Sequence, residues 1–257
     1  MIVRKSPDEL EKMRKAGAIL AGTITAVLDA VEPGTTTLAL DGLAESFIRD
    51  NGAVPSFKGY RGFAATPFPA TICASVNHEI VHGIPSRTRV LKEGDLLSLD
   101  FGAIWEGFHS DSAVSVFVGG IAPSAEAERL VKATEAALEA AIAQVRPGAR
   151  LSDIGHAIES VAGAEGFGLV REFGGHGIGR ALHEDPFVQN WGAAGRGPTM
   201  RPGLVLALEP MLTLGADGTR MLPDGWTVVT ADGSLSAHVE HTVAVTQAGC
   251  EILTARA

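Results

Sequence analysis

Acidic side chains recur at equivalent places in two stretches of this 257-residue chain, each beside a run of aliphatic and β-branched residues. Leu91 to Asp100 aligns without gaps on Met200 to Glu209, so Asp100 and Glu209 each close an apolar run that reads as a buried strand. His109 to Val116 lies over His238 to Val245, which places Asp111 and Glu240 at the start of two further runs. An unpaired carboxylate in a dry core costs several kcal/mol or more, so four of them call for cations. A third match, Val81 to Pro85 over Gly175 to Gly179, adds a His-Gly-Ile from each half and with it His82 and His176.

Oxygen-rich ligation with a single imidazole, His176, suits Mn(II), Fe(II) or Co(II) better than a structural zinc, which favours sulfur and nitrogen. Four carboxylates exceed what one ion needs. Bridging by two of them would hold a metal pair roughly 3.5–4 Å apart, the arrangement that acidifies a shared water to a pKa of about 7 for hydrolysis. The glycines of Arg171 to Gly179 read as clearance that lets backbone pass close to a metal or substrate. They lack the register of a P-loop or a dinucleotide fingerprint. His82 and His183 are candidates for substrate-facing groups or for surface histidines. His78, His109, His156, His238 and His241 carry no comparable signal. No Ser-His-Asp or Cys-His spacing competes, and Cys73 lies in an apolar run that reads as a wall.

These residues need a scaffold, and the repeat describes one. Ser6-Pro7-Asp8-Glu9 is an N-cap signature for an amphipathic helix running to about Val31, and a second helix follows over Thr37 to Asp50. The plan recurs 114 positions later, where Val31 to Gly34 matches Val145 to Gly148 and Gly52 matches Gly166. Each half is predicted as two helices and then several strands. The halves divide near Val118 to Pro123, as pseudo-repeats of about 1–120 and 121–257 in one catalytic domain. Leu96–Gly102 and Asp111–Val118 are close enough for a hairpin, so the expected class is α+β, with helices covering a mostly antiparallel sheet.

Net charge of −9 and 46% hydrophobic residues describe an acidic globular chain and argue against general binding to nucleic acid or membrane surfaces. No apolar stretch approaches a membrane span, and Met1 to Arg14 is dense in charge where a signal peptide would be apolar. Cys73 and Cys250 are too few for a disulfide framework, so the cytoplasm is the expected compartment.

Taken together, the segments Val76 to Pro85, Ser98 to Gly102, Gly174 to Gly179, Leu208 to Pro210 and Val239 to Thr242 resemble the type I methionine aminopeptidases over essentially the whole chain. The resemblance implies the pita-bread fold, two pseudo-twofold halves with helices over a curved sheet. It also implies a two-metal site of Asp100, Asp111, His176, Glu209 and Glu240, with cobalt, manganese, iron or zinc as the candidate ions. By the same match Asp111 and Glu240 bridge the ions, His176 and Glu209 complete one, and Asp100 chelates the other. His82 and His183 would contact the peptide, Glu209 would shuttle a proton, and Tyr60, Phe63, Cys73 and Trp226 would wall the methionine pocket.

A sodium or potassium ion touching Asn77 and Ser236 is a further carry-over from the resemblance. The implied activity is removal of the initiator methionine from nascent proteins whose second residue is small, by a monomer that meets the ribosome transiently. The segment from Gly62 to Ala70 is a few residues longer than the common form of that family, a departure that falls at the pocket rim. Two rival readings share the fold: a proline-directed peptidase, and a binding module that has lost its metals.

Overall fold

The structure is a computed structural model that describes residues 1–62 and 64–256. The first half comprises α1 (Pro7–Leu28), α2 (Thr37–Asp50), β1 (Val54–Pro55), β2 (Ile72–Val76), β3 (Glu79–Val81), β4 (Leu96–Trp105) and β5 (Phe108–Phe117). After a 3-10 turn at Val118–Gly120 the second half repeats the plan with α3 (Ala125–Gln144) and α4 (Ser152–Glu165). Its strands are β6 (Gly168–Leu169), β7 (Gly175–Gly177), β8 (Glu184–Val188), β9 (Val205–Leu208), β10 (Met211–Thr213), β11 (Thr219–Met221), β12 (Val228–Thr230), β13 (Ser236–His238), β14 (His241–Val245) and β15 (Cys250–Ile252).

Local chemistry accounts for the helix ends. Ser6 and Glu9 form a reciprocal capping box at the start of α1, with Pro7 in the first turn. The helix stops at Leu28, earlier than the expected Val31, because the N–H groups of Ala30 and Val31 turn back to the carbonyls of Val27 and Leu28, tightening the chain into a 3-10-like turn. The duplication survives in the backbone. Gly34 and Gly148, and likewise Gly52 and Gly166, hold matching left-handed conformations (φ 96° and 90°, 74° and 75°), and the bridge Thr36 to Val90 has its counterpart in Arg150 to Thr199.

All strand pairings are antiparallel among the described residues. In the first half β2 and β5 flank β4. In the second, β15, β14, β9, β7 and β8 lie side by side. The expected hairpin is real and longer than expected, with β4 and β5 paired from Leu96↔Phe117 to Trp105↔Phe108. Asp100 and Asp111 therefore sit within ten-residue strands and not at their ends. Glu240 falls between β13 and β14, outside any strand, and Glu209 directly follows β9.

One apolar core lies between α1, α2 and the β2–β4–β5 face, with Leu20, Ile24, Ile48, Leu97, Leu99 and Phe101 fully buried. A second packs α3 and α4 against β9 and β14 through Leu130, Ile154, Ile158, Leu206 and Val243. Each such side chain contributes about 1.5–3 kcal/mol of burial, so helix pair and sheet stabilise one another in both halves. The halves are sewn together at the acids. Ala113 and Glu240 exchange backbone hydrogen bonds (3.3 and 3.0 Å), while the Thr242 hydroxyl accepts from the N–H of Asp111 and donates to its carbonyl (2.9 and 2.7 Å). No helix among the described residues is long and apolar enough to cross a membrane.

Candidate metal centre

Five side chains expected to meet do meet, at the base of a cleft of about 760 Å³ lined by Asp100, Asp111, His176, Glu209 and Glu240. Ligand-type atoms of Asp111, His176 and Glu240 all lie within 4.8 Å of one another. Nε2 of His176 stands 3.9 Å from Asp111 Oδ2 and 3.7 Å from Glu209 Oε1. The carboxyl of Asp100 lies against those of Asp111 and the Cys73 thiol. Two strands of one hairpin supply Asp100 and Asp111, β7 supplies His176, Glu209 directly follows β9, and Glu240 lies in the short link between β13 and β14.

The glycines beside His176 do give clearance, but to neighbouring strands. A Cβ on Gly175 would come 2.3 Å from the Ala207 carbonyl oxygen and one on Gly177 would come 2.2 Å from that of Asp185, so β7 can pack between β8 and β9 only as Gly-His-Gly. His176 Nδ1 lies 2.9 Å from the Gly177 carbonyl, which makes Nδ1 the protonated nitrogen and leaves Nε2 aimed at the acids as a lone pair.

The cluster is electrostatically incomplete without cations. Burial pushes the Asp100 carboxyl up to about 7. It pushes Asp111, Glu209 and Glu240 well above the usual carboxylate range, and the neighbouring acids push the same way. Burial holds His176 and His238 down at about 3, so both imidazoles are neutral. Asp100 Oδ1, Asp111 Oδ1 and Glu240 Oε1 are buried with no hydrogen-bond partner among the described residues. Each such orphan costs on the order of 1–3 kcal/mol. Clustered acceptor oxygens plus a neutral imidazole are the donor set of a divalent ion, so the residues present fit one.

Phe57, Tyr60, Phe68, Cys73, Leu182 and Trp226 form the apolar part of the cleft wall. Cys73 is buried and its thiol is pushed far up, which fits a wall and not a nucleophile. Trp226 donates from its indole N–H to the Thr66 carbonyl (3.1 Å) and packs edge-on against Phe68 at 5.2 Å. Phe63 lies outside the described residues. Phe57, Phe68 and Leu182 were not singled out in the sequence; Phe57 and Phe68 flank Tyr60 in the chain, whereas Leu182 directly precedes His183.

His82 and His183 both reach the cleft. The ring of His183 is 4.2 Å from that of His176, and His82 sits edge-on to Phe173 and Trp226. His82 has φ of 61°, a conformation rare outside glycine, held by bonds from Ala74 N–H to the Gly83 carbonyl and from Gly83 N–H to Ser75 Oγ. Burial lowers His82 to about 4 and lowers His183 as well. Asn77 and Ser236 also meet, through a 2.9 Å backbone bond. One buried histidine at the site, His238, carried no sequence signal beyond its place two residues before Glu240.

The model of metallopeptidase family M24 matches residues 11–247. The chain belongs to metallopeptidase family M24. This M24 peptidase is 50% identical over 260 residues to methionine aminopeptidase 1 of Mycobacterium tuberculosis, covering 99% of this chain and 95% of that one. It is 48% identical to methionine aminopeptidase 1 of Bacillus subtilis, with 99% of each chain covered. The crystal structure of methionine aminopeptidase from Thermotoga maritima superposes with a TM-score of 0.94 at 42% identity over 99% of both chains. A Xaa-Pro dipeptidase from Bacillus anthracis shares the fold at 22% identity and a TM-score of 0.77, with 62% of its length covered. The M24 peptidase thus has the pita-bread fold expected of it, and as a metallopeptidase it uses divalent metal.

Proposed function

We infer that this chain is a methionine aminopeptidase that removes N-terminal methionine from nascent proteins whose second residue is small. The observation that carries the reading is a cluster of buried, orphaned carboxylate oxygens and a neutral imidazole at the floor of a cleft whose wall is apolar. Full-length likeness to named methionine aminopeptidases supports it.

Asp100, Asp111, His176, Glu209 and Glu240 would hold two divalent ions, drawn from cobalt, manganese, iron and zinc. Such ions supply Lewis acidity, lowering the pKa of a water and polarising the scissile carbonyl. The protein's own groups do the rest. Tyr60, Cys73, Phe68, Leu182 and Trp226 receive an unbranched thioether side chain and exclude water from it. His82 and His183, neutral at pH 7, can donate hydrogen bonds to oxygen as charge develops on it. Glu209, whose carboxylate lines the cleft beside the other donors, would pass a proton to the departing amine. A sodium or potassium ion at Asn77 and Ser236, a monomeric enzyme, a cytoplasmic setting and transient contact with the ribosome belong to the same reading.

Methionine release from Met-Ala-Ser and Met-Lys-Ser, with Mn(II) or Co(II), tests it. The first peptide should be cleaved and the second spared. No cleavage of Met-Ala-Ser with any divalent metal would defeat the reading, and faster cleavage of an Xaa-Pro bond would transfer it to a proline-directed peptidase.

A further inference from the structure

Glu209 has an imidazole on each of its two oxygens. Oε1 lies 3.7 Å from Nε2 of His176, and Oε2 lies 3.8 Å from Nε2 of His238. The pattern continues one residue outward, where His176 Nε2 is 3.9 Å from Asp111 Oδ2 and His238 Nε2 is 4.0 Å from Glu240 Oε2. None of these is a hydrogen bond. All four fall inside the roughly 4.2 Å that can separate two donors sharing an ion at about 2.1 Å from each. By distance alone His238 is placed toward the acids as well as His176, a residue the family resemblance makes a ligand.

A structural histidine would look different. His238 is 2% exposed, and its Nε2 has no hydrogen-bond partner among the described residues. Its backbone is pinned, with its N–H donating to Ser115 Oγ (3.0 Å) and its carbonyl accepting from that hydroxyl (2.8 Å). The duplication supplies an internal control. His109 occupies the equivalent position two residues before Asp111, and its Nδ1 is satisfied by Ser56 Oγ at 2.6 Å. Only the copy in the second half leaves a ring nitrogen unsatisfied beside two carboxylates.

We propose that His238 is a sixth protein donor of the metal centre, its Nε2 directed at the ion held by Glu209 and Glu240. The assignment rests on the reading of the cleft as a metal centre. Its consequence is chemical. A second imidazole makes the centre richer in nitrogen than five ligands alone would, which favours zinc and cobalt over manganese.

The test compares full-length metal-free wild type with His238→Gln, which keeps a polar side chain of similar reach but no imidazole. Competition titrations against a chelating indicator give the Zn(II) and Mn(II) affinities of each. The zinc-to-manganese affinity ratio should fall at least about tenfold in the variant, and X-ray absorption of zinc-loaded wild type should show two imidazoles per centre. An unchanged ratio, or one imidazole in the wild type, overturns the proposal. If the variant fails to fold, the absorption spectrum of the wild type decides alone. Asp111→Ala separates the two levels of inference. Wild-type metal affinity in that variant would sink the metal-centre reading itself, whereas its loss beside an unaffected His238→Gln would sink only the role of His238.

Discussion

The phenol oxygen of Tyr60 lies 2.7 Å from Nδ1 of His183, with the two rings 5.3 Å apart. Burial raises the phenol further above neutrality, so it carries its proton and can donate it to Nδ1. The His183 proton then resides on Nε2, where it can be offered to a substrate oxygen. Tyr60 is thus a positioning residue as well as a wall. Tyr60→Phe should lower kcat for Met-Ala-Ser about tenfold, the equivalent of about 1.4 kcal/mol, with KM and thermal stability little changed. A loss confined to KM would mean that the ring matters only as wall.

Crowded acids strain the metal-free protein, which gives substitutions at Asp111 two opposite signs. Asp111→Asn removes one buried carboxyl from beside Asp100 and Glu240, so the metal-free variant should melt higher than metal-free wild type. Mn(II) or Co(II) should raise the melting temperature of the wild type and leave that of the variant unmoved. Thermal melts with and without chelator check both signs, and turnover should be abolished in the variant.

The same carboxyls fix how stability follows pH. In the folded, metal-free protein Asp100 titrates at about 7, against about 3.9 in an unfolded chain, and Asp111, Glu209 and Glu240 are raised as well. The folded state therefore keeps protons that the unfolded chain has released, and this stability is lost as pH rises through the folded values. Buried His82, His176 and His238, lowered by burial, act with the opposite sign, but only below about pH 6.5, since above it they are neutral in both states. From about pH 6.5 up through about 7, where Asp100 titrates, the metal-free protein should lose stability, while saturating metal should cancel the loss. Denaturant melts across that window measure it.

Asp41 ties the helical layer to the site. Its Oδ1 accepts the N–H groups of Thr71 and Ile72 (2.7 and 3.0 Å), anchoring the strand that carries Cys73 beside Asp100. Asp41→Ala leaves two buried donors unmet and should cost about 1–3 kcal/mol in urea melts, with Asp41→Asn costing less because its amide oxygen still accepts.

That these acids meet in one cleft was legible in the bare chain because duplication repeats physical requirements. Asp100 and Glu209, or Asp111 and Glu240, are unremarkable singly, yet each pair stands at one place in two copies of one strand pattern. The helices were legible for a local reason: Ser6, Pro7 and Glu9 write a capping box in four residues, and Gly34, Gly52, Gly148 and Gly166 mark where the chain must turn left-handed. The end of α1 and the lengths of β4 and β5 were less so, since tertiary partners and not propensity decide where a strand stops.

The amino-acid order alone determined the class of fold and marked the four acids and the histidine that meet in the cleft, because periodicity, capping and repetition act between neighbours or between copies. Tertiary structure decided which further groups join them. Tyr60 and His183 are 123 residues apart, and nothing near His238 announces that its ring ends beside Glu209. Such encounters depend on strand register and on how two halves close over one cleft. Those are properties of the packed chain, in which a shift of one residue would turn every side chain to the opposite face.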